Sequence, residues 1–256
     1  MATSLQNKKM ASRFKNLLSY VLSIFLFVGF ILWVISRQIT PLDFTRLYEY
    51  TSLFREGFIN TIIVSFIALV GSMITGFLLF LMGKSKIQFF RAFVDVFTEI
   101  IYGTPLLVMI MVMAFLIGPS FNIMNRPVMG VTAIIIYITP YMSNIFKSAF
   151  SSITEEQYMA MELFRFNAIQ KYVYIIIPQV IRILMPPLMN NFSLIIKGSA
   201  LLNVLSYREL FYSYRLFQSE TFQTSVGLLF MWILYIIITI PLSQFTRYFE
   251  RRWSLQ

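Results

Sequence analysis

The sequence contains neither cysteine nor histidine, and only 12% of its 256 residues are charged. Without these two residue types the chain has no disulfides, no thiol nucleophile, no imidazole acid or base, and no Cys/His zinc site. It has only two aspartates, Asp43 and Asp95, which are far apart in the chain. No catalytic or metal-binding constellation is visible. We therefore predict a protein that is not an enzyme and that binds no cofactor or metal itself.

Apolar residues, by contrast, make up 58% of the chain, more than is usual in soluble globular domains. This composition predicts an integral membrane protein. The formal net charge of +10 would suggest a nucleic-acid partner in a soluble protein. In a membrane protein, basic cytoplasmic loops explain the same charge, so we expect contact with membrane lipids and none with nucleic acid.

Six apolar stretches are close to the roughly 20 residues that a helix needs to cross a bilayer. They lie at about 19–36, 60–82, 99–119, 128–146, 172–194 and 226–245. We therefore predict an all-α membrane protein with six transmembrane helices. The alternative for the first stretch is a cleaved signal peptide. A retained helix is favoured because the run is long and the following VISRQIT lacks a small-residue cleavage site.

The distribution of Lys and Arg predicts the orientation. With the N-terminus inside, the cytoplasmic segments hold fourteen of these residues, including Lys8, Lys9 and Arg13, and the other side holds seven. The positive-inside rule then places both termini in the cytoplasm. Residues 37–58 carry charges of both signs and are expected to form a short amphipathic segment outside the bilayer.

Residues 151–179, between the fourth and fifth apolar stretches, are predicted to form a cytoplasmic helix-turn-helix. Thr154 and Gln157 match a capping box, in which two side chains satisfy free backbone N–H groups at a helix start. Asn167, with Gln170 three residues later, offers a second cap. One helix should therefore begin at residue 155 and another at residue 168.

The first of these two helices combines apolar and acidic residues. Tyr158, Met161 and Phe164 recur at helical spacing, while Glu155 and Glu156 occupy the first turn. Such a helix could rest on lipid headgroups or insert into a soluble partner. An anionic membrane surface attracts basic rather than acidic residues, so a partner is favoured.

Polar residues within the apolar stretches are candidates for a transport pathway, because lipid does not stabilise them. Lys197 either snorkels to the far surface or faces the interior, and the sequence leaves both open. Asp95 and Glu99 begin the third stretch, and we interpret them as helix-end residues at the membrane surface. The polar residues of the fifth stretch are Asn190, Asn191, Lys197 and Ser199, and Asn190 and Lys197 share one face.

Several stretches resemble, in the same order, the permease subunits of bacterial ABC importers of the polar amino-acid uptake type. Residues 151–179 resemble the cytoplasmic EAA loop of that family. The resemblance covers roughly residues 57–253. The other matching stretches are GFINTIIVSFIALVGSMITG, EIIYGTPLL, PYMSNIFKSAFSSI, IIIPQ, PPLMNNFSLIIKGSALLNVL and RYFERRW.

The resemblance implies an architecture and a set of partners. Residues 1–56 would hold the basic N-terminus, the first transmembrane helix and an external segment, and residues 57–256 a five-helix permease core in the bacterial cytoplasmic membrane. A second permease, identical or homologous, would complete the pathway. Two ATPase subunits would carry ATP and magnesium, and an external solute-binding protein would deliver an amino acid.

The resemblance also implies roles for individual residues. The helix within 154–167 would be the coupling helix that fits a groove on the ATPase. Its expected contacts are Glu155, Glu156, Tyr158, Met159, Ala160, Met161, Leu163, Phe164 and Arg165. Thr104, Tyr141 and Asn144 join the fifth-stretch residues as candidates for lining the pathway.

This chain departs from the family pattern at several of these positions. Met159, Ala160 and Met161 stand where Glu-Ala-Ala is usual, and Arg165 stands at the usual turn glycine. A left-handed backbone at Arg165 would cost on the order of 1 kcal/mol, so the turn either differs in shape or is held by contacts with the ATPase. Tyr102 and Asn144 replace a usual Arg and a usual acidic residue.

Two other function classes compete with an ATP-driven importer. An ion-coupled secondary transporter would ordinarily need ionisable residues deep in the membrane, and deep acidic residues are absent from the predicted spans. A membrane scaffold whose altered EAA loop no longer couples to an ATPase is compatible with the same sequence.

Overall fold

The structure, a computed structural model, describes residues 2–38 and 42–253, and within those residues it contains helices and turns but no strand. Residues 39–41 of the predicted external segment lie outside the described residues, as do the side chains of Lys8, Lys9 and Arg13. The chain divides into two compact units, Met1–Asp43 and Phe44–Gln256. The first unit holds one long helix, α1 (Ala2–Ser36).

The described part of the second unit holds ten further helices. They are α2 (Thr45–Glu49), α3 (Thr51–Gly83), α4 (Gln88–Gly103), α5 (Leu106–Val112), α6 (Gly118–Ser120), α7 (Arg126–Ser151), α8 (Glu155–Leu163), α9 (Ile177–Gly198), α10 (Leu210–Thr221) and α11 (Thr224–Trp253). A π-helical segment, Met113–Ile117, joins α5 to α6, and another, Gln170–Ile176, leads into α9. A 3₁₀ segment, Ser199–Leu205, follows α9.

In residues 2–38 and 42–253, five helical stretches are individually long and apolar enough to cross a bilayer, and a bent pair makes a sixth span if it is counted as one. The bent pair is Gln88–Gly103 with Leu106–Ser120. The single stretches are Leu17–Ser36, Thr51–Gly83, Arg126–Ser151, Gln170–Leu205 and Thr224–Glu250. Each overlaps a predicted apolar stretch, and the all-α membrane fold is confirmed.

The third predicted span, 99–119, is not one continuous helix. The chain bends by 108° between α4 and α5. Pro105 lacks a backbone N–H and disfavours helical geometry in the residue before it. Thr104 accordingly has an extended backbone, with φ −104° and ψ 124°, and its hydroxyl donates to the Ile100 carbonyl at 2.7 Å.

The segment between the first two apolar stretches is partly helical. It contains α2, but α3 already begins at Thr51, and the Phe54 side chain is buried. Residues 44–56 belong to the second unit.

The centre of the second unit is the packing of α3 against α7. Small residues line the buried face of α3, where Thr75 and Thr139 share a hydroxyl hydrogen bond of 2.6 Å. A Cβ atom at Gly76 would overlap the Met142 side chain and lie 3.0 Å from the Thr139 carbonyl oxygen. This close backbone approach is typical of small residues between membrane helices.

Candidate functional site

The predicted helix-turn-helix is present. Its second cap is reciprocal as predicted, whereas only the Thr154 half of the first capping box forms, because the Gln157 Oε1 accepts no hydrogen bond. Thr154 accepts a hydrogen bond from the backbone N–H of Gln157 at 3.4 Å, and α8 starts at the next residue. Asn167 and Gln170 bond reciprocally, each side chain accepting from the other residue's backbone N–H at 2.9 Å. The helix after the turn begins at residue 168, as predicted. We call residues 154–179 the hairpin.

Arg165 has a left-handed backbone, with φ 54°. Its N–H donates to the Glu162 carbonyl at 2.9 Å, and the Phe166 N–H donates to the Met161 carbonyl at 3.0 Å. These two bonds form a Schellman motif, the usual helix ending in which glycine takes the left-handed position. The turn therefore has the shape that a glycine would give, and bonds within the chain close it.

We expect Arg165→Gly to stabilise the hairpin by up to about 1 kcal/mol, because it removes the left-handed penalty of a side-chain-bearing residue. Part of the gain is offset by the greater backbone freedom of glycine in the unfolded chain. Hydrogen exchange of the amides of residues 160–170 would measure the change.

Arg165→Ala is the matched control for this substitution, since it removes the same side chain and keeps the strained backbone. If Arg165→Ala slows exchange as much as Arg165→Gly does, the side chain and not the backbone is the source of the effect.

One face of α8 is anchored to the helices around it. Met161 is 3% exposed and belongs to the same buried cluster as Ile153 and Ile176. The Gln157 amide donates to the Gln179 side-chain oxygen at 3.4 Å. These contacts link α8 to the connection that follows α7 and, through Gln179, to the beginning of α9.

The other face of α8 is open. Leu163 is 82% exposed and Phe164 is 71% exposed. Hydrogen bonding from Thr154 lowers the pKa of Glu156, so this carboxylate stays ionised at neutral pH. Of the nine predicted coupling residues, Met161 is buried and eight are exposed, namely Glu155, Glu156, Tyr158, Met159, Ala160, Leu163, Phe164 and Arg165.

A second feature is a polar cavity of about 720 Å³ between α3, α4 and α7. Asn144 donates to the Tyr102 hydroxyl at 2.7 Å inside it. The Tyr141 ring packs against Tyr102 at a centroid distance of 4.9 Å. Two of the predicted pathway residues, Tyr141 and Asn144, are thus close together, whereas Thr104 bonds its own helix at the break after α4.

Charges of both signs line this polar cavity, and sequence reasoning assigned two of them to the membrane surface. Asp95 and Glu99 on α4 face it, together with Lys84 of the α3–α4 connection and Lys147 of α7. The spacing of these residues in the sequence indicates a shared face, because Arg91, Asp95 and Glu99 recur every four residues and therefore lie on one side of α4.

The predicted pathway residues of the fifth span are on different faces. Asn191 and Ser199 are buried and donate to carbonyl oxygens of their own helical stretch, at 3.2 and 2.8 Å. Asn190 and Lys197 are exposed. Lys197 lines a smaller cavity of about 290 Å³ together with Ala200, Trp232, Tyr235, Ile236 and Thr239.

Residues 80–255 match the family model described as "Binding-protein-dependent transport system inner membrane component". Among curated proteins, the chain is 29% identical to the "Probable glutamine ABC transporter permease protein GlnM" of Bacillus subtilis strain 168, over 80% of this chain and 95% of that protein. It is 28% identical to the "Glutamine transport system permease protein GlnP" of Escherichia coli K12, over 83% and 98%.

Solved structures show the same similarity. A chain in the structure titled "Crystal structure of an amino acid ABC transporter with histidines" superposes with a TM-score of 0.74 at 27% identity, over 83% of this chain and all of that one. A chain of the MetNI methionine ABC transporter in an inward-facing conformation gives a TM-score of 0.60 at 13% identity, over 78% and 97%. The second similarity supports the fold alone.

Proposed function

The chain belongs to the family of inner-membrane components of binding-protein-dependent transport systems, and from this premise we propose that it is the membrane permease of an ATP-driven amino-acid importer. Supporting this are its curated relatives, which are named as glutamine permeases, and its similarity to an amino-acid ABC transporter chain. The observation that carries the proposal is the hairpin, which is anchored on one face and open on the other.

The open face of α8 is proposed to bind the ATPase subunit that hydrolyses ATP with magnesium. Leu163 and Phe164 offer apolar surface, and Glu155 and Glu156 add negative charge beside it. An exposed apolar patch with a polar rim is typical of a protein interface. Because Met161 fixes the opposite face in the core, movement of the ATPase would be transmitted to α7 and α9.

The remaining partners and the orientation follow from the same proposal. With the bent pair counted as one crossing, an even number of six crossings supports both termini on one side of the membrane, and the Lys and Arg bias supports the cytoplasm of a bacterial cell as that side. The hairpin is then cytoplasmic, where ATP is available. A second permease subunit, two ATPases and an external solute-binding protein complete the assembly.

The polar cavity between α3, α4 and α7 is proposed to contact the solute. An amino acid carries an ammonium and a carboxylate, and the cavity offers Asp95 and Glu99 for the first and Lys84 and Lys147 for the second. The Asn144 amide could pair with a side-chain amide such as that of glutamine.

We expect Asn144→Leu to lower the apparent affinity for L-glutamine about tenfold, since the loss of one hydrogen bond to the solute costs roughly 1 to 1.5 kcal/mol. The assay is uptake of labelled glutamine into proteoliposomes that contain the chain, its ATPase and its solute-binding protein. Uptake should disappear with a hydrolysis-deficient ATPase.

Asn190→Leu is the matched substitution, because Asn190 is exposed on the fifth span and does not line the polar cavity. If Asn190→Leu lowers uptake and Asn144→Leu does not, the solute follows the fifth-span face. Uptake that continues after ATP hydrolysis is abolished would contradict an ATP-driven importer and favour ion coupling.

A further inference from the structure

Glu209 is a completely buried carboxylate at the start of α10. Its two oxygens accept hydrogen bonds from the backbone N–H groups of Phe211 and Tyr212, at 2.8 and 2.7 Å. The Tyr235 hydroxyl of α11 donates to the same carboxylate at 3.0 Å. One side chain therefore caps α10 and joins it to α11, through three donors that carry no charge.

The neighbourhood of Glu209 also holds α10 against α3. Gly57 of α3 makes the approach possible, since a Cβ there would overlap the Ser213 hydroxyl and lie 2.9 Å from the Glu209 carbonyl oxygen. Three hydrogen bonds connect the two segments: the Asn60 amide to the Arg208 carbonyl at 2.8 Å, the Leu210 N–H to the Thr61 hydroxyl at 3.1 Å, and the Ser213 hydroxyl to the Leu53 carbonyl at 3.0 Å.

Burial disfavours the ionised form of Glu209. Desolvation raises its pKa from the ordinary 4.5 to about 7, although the three hydrogen bonds lower it in part. The titratable and charged groups around it are Tyr235 on α11, Tyr207 and Arg208 in its own segment, and Glu56 on α3, which pairs with Arg208 at 3.6 Å. The residue lies outside the membrane-spanning stretches, which end at Leu205 and resume at Thr224.

We propose that Glu209 is a proton-sensitive positioning residue, which holds α10 on α3 and α11 while its carboxyl is protonated and favours release of α10 once it is ionised. The group protonated at Oε1 keeps two of its three hydrogen bonds, because Oε2 still accepts from the Phe211 N–H and from the Tyr235 hydroxyl. The ionised group gains water when α10 moves away, which compensates for the cost of burial.

The direction of the pH effect follows from linkage. We call the arrangement with α10 packed on α3 and α11 the seated state. A carboxyl that binds its proton more tightly in the seated state makes that state more stable at low pH. The seated state therefore loses stability as the pH rises from about 4.5 to about 7, and it changes little above that range.

Movement of α10 would affect transport by way of Tyr235. This residue touches Glu209 and also lines the smaller cavity beside Lys197. Displacing α10 would alter the wall of that cavity. The inference goes beyond the proposed function, because it rests on the contacts of α10 and not on the identity of the solute or the partners.

The cysteine-free chain allows a direct test by single-cysteine labelling. Ser213→Cys places a thiol of similar size at a buried position of α10, and Ser219→Cys places one at an exposed position of the same helix. Each full-length variant is labelled in membranes with N-ethylmaleimide, which is neutral and reaches both sides, from pH 5.5 to 8. The ratio of the two rates cancels the intrinsic pH dependence of thiols.

We expect the labelling rate of Ser213→Cys, divided by that of Ser219→Cys, to rise by up to about tenfold per pH unit and to level off near pH 7. In the Glu209→Gln background, which cannot ionise, the ratio should be independent of pH. A rise of the same size in Glu209→Gln, or a flat ratio in the parent chain, would overturn the proposal.

Tyr235→Phe provides a second variant in case Glu209→Gln does not fold. It removes one donor to the ionised carboxylate and leaves the two backbone donors in place. The pKa of Glu209 should therefore rise, and the labelling-rate ratio should level off at a higher pH. A plateau that stays in place or moves to lower pH would also overturn the proposal.

Discussion

Replacing Leu163 with Asp should abolish ATP-driven uptake while leaving the chain folded in the membrane. Leu163 is 82% exposed at the end of α8, so an aspartate there costs little stability in the isolated chain. Within an interface the same carboxylate would be buried without a partner. A central interface residue contributes about 2 kcal/mol or more, so the ATPase should bind roughly 30-fold more weakly or worse.

Uptake into proteoliposomes and ATPase affinity for the detergent-solubilised chain measure the two effects. Phe222→Asp is the matched control, because Phe222 is an 88% exposed apolar residue between α10 and α11. It should leave both quantities unchanged.

A cysteine at Ala160 provides an independent test, since it should crosslink to the ATPase. Full uptake by Leu163→Asp would mean that α8 does not couple the chain to the ATPase.

The ends of the two hairpin helices were predictable because local chemistry determines them. Thr154 and Asn167 form their caps with residues three positions away, so no distant part of the chain is needed to place them. The burial of Met161 was not predictable in the same way. Apolar residues lie on several sides of α8, and the tertiary packing of the cluster that includes Ile153 and Ile176 selects the face that is buried.

The third span shows how a local assumption limited the prediction. The apolar run 99–119 predicts one span, yet two helices at 108° to each other meet at Pro105. Hydropathy alone does not distinguish a kinked helix from a broken one. Since α4 begins at Gln88, Asp95 lies near the middle of that helix and Glu99 in its second half, not at its start. Their place in the polar cavity depends on α3 and α7, which no single stretch reveals.

Replacing Gly76 with Val should destabilise the fold more than any surface change. The added Cβ would meet the Met142 side chain and the Thr139 carbonyl oxygen, which is backbone and cannot rotate away. Separating α3 from α7 would also stretch the hydrogen bond between Thr75 and Thr139. Overpacking of this kind costs about 3 kcal/mol, and thermal unfolding of the purified chain should show a lower Tm together with a lower yield from membranes.

Gly83→Val is the matched control, because Gly83 ends the same helix and its nearest neighbour, Val94, would be 3.8 Å from an added Cβ. Both substitutions replace a helical glycine by the same β-branched residue, so the difference between them isolates the contact with α7. If the two variants unfold at the same temperature, the close approach at Gly76 does not limit stability. In that case the packing of α3 on α7 must tolerate a shift of the backbone that neither Met142 nor Thr139 opposes.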